Sequence, residues 1–324
     1  MNDDIASFKA AGLVESLEKV RLTDDVGRVV LRLGLIATWY FHDGYTLEKR
    51  RAVVDCYDEF QASFGEKLRW RVVEGGRFSG ARDKKNLATY LLDPKFAAPK
   101  SERNWAFIYH GGELKEDASD VRIDAFGSSR AECEWDGTVL SYLTIALPLS
   151  LLADRSAEFQ ELVLRWSRRL QPFHGYGGIG ILTSPDDARA QQHEQGVFAV
   201  AQRHPGLEVD YPLSHTLWIK QGIKGGNWIT LLSDHWVARL GGIEKIREAL
   251  GSGLFRVDDY AGGLMIVAGS IPEPGGPGRM DLRSHRMLAR LLKPIRTTDH
   301  AAVHNTPGCF RWHEFLAWLA RFDD

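Results

Sequence analysis

Residues Gly175-Tyr-Gly177-Gly178-Ile-Gly180 fit the spacing G-x-G-x-x-G. In a dinucleotide site such glycines let a strand end, the chain turn tightly and a helix begin with its N–H groups on a pyrophosphate. Here the flanks run in the wrong order. Phe159, Leu162, Val163, Trp166 and Leu170 recur at helical spacing before the glycines, and Pro172 follows as a stop. After them Ile179-Gly-Ile-Leu182 reads as β, and a helix over 185–203 begins with Ser184 as N-cap, Pro185 at its first position and Asp187 in its first turn. A glycine-rich strand accounts for the match better than a nucleotide loop, so no cofactor is expected.

Other reactive patterns are sparse. His193-Glu194 and His313-Glu314 each lack the second histidine that a zinc protease places one helical turn on, and no metal site is expected. There is no G-x-S-x-G elbow. Gly222-Ile-Lys224-Gly225-Gly226-Asn227-Trp228 lacks the G-K-[ST] of a phosphate loop. It reads as a turn, with Asn227 as a turn or cap residue, that launches a helix over Trp228–Leu240. Of the scattered histidines, His174 stands out because it starts the glycine-rich strand. A groove around His174 and the Gly175–Gly180 strand is where an enzyme or small-molecule binder would work. The acidic residues point outward instead. Glu113, Glu116, Asp117, Asp120, Asp124, Glu132, Glu134 and Asp136 crowd a segment that holds only Lys115, Arg122 and Arg130 in return. Such a surface suits a basic protein partner, where complementary charge raises association rate and specificity.

The 324 residues, 44% of them hydrophobic, suffice for a large core, and the net charge of −2 gives direct nucleic-acid binding no support. Cys56, Cys133 and Cys309 stand far apart, which suits a reducing compartment. The N-terminus lacks a secretory pattern, and the most apolar run, Val139–Ala153, is too short to span a bilayer. The expected location is the cytoplasm, without membrane attachment.

Periodicity supplies the elements that hold these residues. Helices are expected at 5–20, at 46–65 between Thr46 as N-cap and Gly65 as stop, and at 155–170. Further helices are expected near 242–251, 283–292 and 312–322. Strands are expected at 26–41, 68–73, 104–112, 120–128, 138–149, 174–182 and 262–270. Residues 74–103 form a polar excursion with one helical turn near 87–92. Strands mixed with helices give an α+β fold of mixed or antiparallel sheets flanked by helices. Strand–helix–strand recurs at 26–73 and 138–182. This suggests related lobes at 1–137 and 138–324, or one continuous domain.

Several segments carry a resemblance when taken in order. They are Trp39-Tyr-Phe41, Leu170-Gln-Pro-Phe-His174 with the glycine-rich strand, the segment 204–210, the segment 222–232 with Leu240-Gly-Gly242, the segment 263–279, and 291–296. Together they resemble the bacterial type VI secretion immunity family, also called TsiV, from about residue 26 to the end. The resemblance implies a non-catalytic cytoplasmic protein that binds and neutralises a cognate effector toxin by occluding it. Some members pair with nucleases of the VRR-Nuc type. Shared positions such as His174, Gly175, Gly177, Gly178, Gly225, Asn227 and Trp228 are then structural, and toxin contacts fall on the variable excursions 74–103 and 113–136. One departure is Gly226, where most relatives carry a branched apolar residue.

Overall fold

The sequence Val29–Phe41 is apolar on both faces and forms the longest strand, thirteen residues buried almost throughout. Such a run belongs in the middle of a covered sheet. The computed structural model describes residues 11–73, 76–81, 87–94, 103–251, 253–276, 282–298, 306 and 308–323. Its strands are β1 (Arg21–Thr23), β2 (Val29–Phe41), β3 (Trp70–Val73), β4 (Ser79–Gly80), β5 (Trp105–His110), β6 (Arg122–Gly127), β7 (Ser141–Leu147), β8 (His174–Thr183), β9 (Glu208–Val209), β10 (Ile229–Ser233), β11 (Phe255–Tyr260) and β12 (Gly263–Ala268). They make one sheet in the order β11-β12-β10-β8-β2-β7-β6-β5-β3-β4, with β1 on β2 and β9 on β8. All pairs are antiparallel except β8 with β9. The fold is α+β. The sheet runs straight across residue 137, because β2 lies between β7 and β8.

One face of β2 presents Leu31, Leu33, Leu35, Ala37, Trp39 and Phe41 to the main core. The helices Leu47–Phe64 and Ser156–Leu170 cover this face; Trp39 and Trp166 meet at 5.3 Å, and Trp39 Nε1 donates to Ser167 Oγ at 3.0 Å. Thr46 caps the first helix by accepting from the Lys49 N–H. Gly65 follows its last residue as the C-cap, as expected. It stays right-handed at φ −57°, and the chain tightens into a 3-10 turn over Gly65–Lys67. The described part of the N-terminal helix covers 11–18, with Leu13 and Leu17 buried; Ile5 and Phe8 lie outside the described residues. Within the polar excursion a helix forms at Leu87–Leu92, while 74–75, 82–86 and 95–102 lie outside the described residues.

Several expectations are corrected. Trp228 launches β10 rather than a helix, and the helix there is confined to Asp234–Arg239. Ile229-Thr-Leu-Leu232 is a short apolar run that periodicity alone leaves ambiguous. Two flanking strands decide it, since Thr230 pairs with Tyr176 on one side and Ile266 on the other. Asp186, not Ser184, caps the helix after β8 through its bond to the Arg189 N–H. That helix breaks at His193 into Asp187–Gln192 and Glu194–Arg203. The acidic stretch after β6 holds a helix not read from the sequence, Arg130–Trp135, which Ser129 and Glu132 start with a capping box. The strand β11 and the helix Pro212–Trp218 add to the expected elements.

Candidate functional site

The second face of the sheet carries the polar side chains. The register aligns Arg32, Gly34, Ile36, Thr38 and Tyr40 of β2 with Leu182, Gly180, Gly178, Tyr176 and His174 of β8. On the other side Tyr142, Thr144 and Ala146 of β7 lie beside Tyr40, Thr38 and Ile36, and β6 adds Arg122, Asp124 and Phe126. The segment from β9 through the Pro212–Trp218 helix to Trp228 crosses this face and is tied to it.

The glycine-rich stretch lies wholly inside β8, paired along its length with β2 and up to Gly177 with β10, so no strand-to-helix phosphate turn exists. Its glycines admit close neighbours instead of a ligand. A Cβ at Gly175 would meet the Thr38 carbonyl at 2.4 Å, and one at Gly178 would meet Asn227 Oδ1 at 2.1 Å. Gly177 is less crowded, with the Ile36 carbonyl 3.3 Å from where a Cβ would sit. His174 is 2% exposed and lies 4.8 Å from the Tyr40 ring. Burial holds its pKa down to about 3, and its Nε2 has no hydrogen-bond partner.

Asn227 is an internal fastener. Its Oδ1 accepts from the Trp228 N–H at 2.7 Å and its Nδ2 donates to Glu208 Oε2 at 2.8 Å. Trp228 stacks on Phe159 at 6.0 Å and donates Nε1 to the Gly269 carbonyl at 3.2 Å. Gly225 needs its glycine for φ +141°. At Gly226 a Cβ would press Leu288 Cβ at 2.8 Å, so a branched residue would crowd the helix Arg283–Leu292.

Around Asn227 a buried polar network assembles that sequence reasoning missed. Lys224 Nζ donates to Glu208 Oε1 at 2.5 Å, to the Val209 carbonyl at 2.6 Å and to Tyr176 Oη at 3.2 Å. It also sits 4.6 Å over the Tyr176 ring. Asp210 accepts from Thr38 Oγ1 at 2.6 Å and from the Tyr176 hydroxyl, with His215 Nδ1 at 3.7 Å. Burial opposes the Asp210 charge, but His215, Lys224 and Thr38 hold its pKa near 2. Burial, with Lys224 nearby, lowers His215 to about 4. One signal was legible: Glu208 and Asp210 alternate with Leu207 and Val209, as in a strand with a charged inner face. Nothing in the spacing shows that Lys224 folds back on Glu208.

The acidic run is divided by the β5–β6 pair. Glu113, Glu116, Asp117 and Asp120 lie at the end where His110 pairs with Arg122; Glu132, Glu134 and Asp136 follow the other end. Glu113 and Glu134 are exposed, and Glu116 is half-buried beside Lys115. Asp117 is buried and accepts from the Val29 and Leu114 N–H groups. Asp120 pairs with Arg32 at 2.6 Å, and Asp136 with Lys220 at 2.6 Å. Glu132 completes the capping box. Asp124 is fully buried, and its Oδ2 accepts from Arg122 Nε at 2.6 Å. Asp117 is thus committed inward, and Asp124 lies in the sheet face beneath a cleft rather than on the exposed acidic rim. Among the described residues no cluster of His, Cys, Asp or Glu could hold a metal ion, and no helix is long and apolar enough to cross a membrane.

The family described as "Type VI immunity for VRR-NUC", TsiV, matches residues 52–322. The chain belongs to this family. As a TsiV protein it is a type VI immunity protein, and immunity of this kind means binding a partner effector protein. A solved Pseudomonas aeruginosa T6SS protein, PA0821, is similar to this TsiV chain at 26% identity and a TM-score of 0.85, over 97% of this chain and 90% of that one. No curated protein matches the chain.

Proposed function

We propose that this TsiV protein binds a VRR-Nuc effector in the cytoplasm, where its DNA substrate lies, and occludes its working surface without chemistry of its own. The observation that carries this reading is the match to a family described by that nuclease class over most of the chain. The state of the reactive side chains supports it. His174, His215 and Lys224 are buried and Asp210 is half-buried, and His215, Asp210 and Lys224 are bound into one internal network. An inhibitor that acts by binding works only at stoichiometry. DNA cleavage by the effector is therefore expected to stop at one equivalent of this protein and to persist in proportion below it; complete protection at a small fraction of an equivalent would mean the protein destroys its target instead.

The exposed acids are proposed as part of the contact, since a DNA-cutting partner carries a basic groove. The accessible set is Glu113 and Glu116 at one end of β5–β6 and Glu132 and Glu134 at the other. Reversing Glu113, Glu116 and Glu134 to lysine together is expected to slow association about tenfold at low salt and to leave dissociation nearly unchanged. Stopped-flow association rates check this. An unchanged rate would place these acids outside the interface.

A further inference from the structure

The polar face has an open end. Beyond the Asp210–Pro212 crossing, Ile108, Ala106 and Phe126 on the same face remain only half-buried. At the boundary lies a cleft whose floor is Ile36, Ala146 and Leu182 and whose polar lining includes Arg122, Asp124 and Asp210. Leu213 and Leu217 of the neighbouring Pro212–Trp218 helix are 44% and 53% exposed.

Two observations give this cleft a chemical preference. Asp124 has no exposed surface, yet its Oδ1 has no hydrogen-bond partner; Arg122 occupies only Oδ2. Burial raises the Asp124 pKa, against the pull of Arg122 and the Tyr142 hydroxyl. A buried carboxylate oxygen without a donor is costly, which favours a group that brings one. The local charges are also uneven. The carboxylates of Asp124, Asp210 and Glu208 face the cations of Arg122 and Lys224, leaving one negative charge over, and the adjoining Arg32–Asp120 pair is balanced.

We propose that this cleft is the anchor pocket for a basic side chain of the effector, an arginine whose stem lies on Ile36, Ala146 and Leu182 and whose guanidinium donates to Asp124 Oδ1 and Asp210. The inference rests on the effector-binding reading and adds where the contact centres. Arginine suits the site because its apolar stem packs while its planar fork serves two carboxylates at once. A charged anchor inside an apolar surround is the usual anatomy of an energetic centre in a protein interface. A nuclease must carry such side chains to hold DNA phosphates, so engaging one of them would also compete with DNA.

Two variants separate the charge from the space. Asp124→Asn keeps the shape and removes the charge. Ala146→Val fills the floor and leaves every charge in place. The full-length protein is titrated against the VRR-Nuc nuclease proposed as its effector, with thermal midpoints showing that both variants fold. Each variant is expected to weaken binding by about 30-fold or more, mostly through faster dissociation. If the wild type binds and both variants bind within about twofold of it, the cleft is not the anchor and the effector-binding reading stands. If the wild type itself does not bind, both fall.

Discussion

Lowering the pH from 7 to 5 is expected to bring this protein close to unfolding. His110, His174, His215 and His285 are at most 3% exposed. Burial lowers their pKa values to about 3, 3, 4 and 3, helped by Arg122 beside His110, Lys224 beside His174 and His215, and Arg321 beside His285. In the unfolded chain each returns to about 6.5. Between these values the unfolded state binds more protons than the folded one, so stability is complete above about 6.5 and is lost as pH falls toward the folded values. At pH 5 the loss is on the order of 2 kcal/mol for each histidine. Four such losses are comparable to the whole stability of an ordinary domain, about 5–15 kcal/mol. Asp210 adds to the loss only below about pH 4, where its depressed folded pKa begins to matter. Urea midpoints measured from pH 7.5 to 5 check the expectation; a flat profile would mean that these imidazoles are charged or hydrated in the folded protein.

Lys224→Met is expected to destabilise the protein by about 3–5 kcal/mol. The substitution keeps the length and packing of the stem. It leaves the Glu208 carboxylate, a buried group, with Asn227 as its remaining donor. It also removes the donor to the Val209 carbonyl. The cost arises from the stranded charge more than from the lost pair. Joining it with Glu208→Gln removes the charge while an amide oxygen still accepts from Asn227, so the double variant should recover most of the loss. Equilibrium unfolding of the two single variants and the double variant decides it. A double variant as unstable as the sum of the singles would contradict the account, because the two changes would then act independently.

Much of the scaffold was legible because it rests on local signals. Thr46 as a cap, the apolar stripe of Ser156–Leu170 and the β character of the glycine-rich run all read correctly from neighbours in sequence. The strand at Ile229–Ser233 did not, since a short apolar run becomes a strand only when β8 and β12 flank it. The acidic segment looked like one patch because its residues are close along the chain. The β5–β6 pair sends them to opposite ends and turns Asp117 and Asp124 inward. The polar network was invisible for a related reason. Lys224 and Glu208 are each unremarkable in sequence, and only the crossing of the second sheet face brings them together. The family resemblance rested on glycines and a tryptophan that fix turns and close approaches, which is why it indicated the fold and the role without indicating the contact surface.

The most direct test is a titration of the VRR-Nuc effector proposed as its partner, cutting plasmid DNA, with increasing amounts of this protein. The account predicts a linear fall in cleavage that ends at one equivalent, together with a one-to-one complex on size exclusion. Undiminished cleavage at several equivalents, with no complex formed, would contradict it.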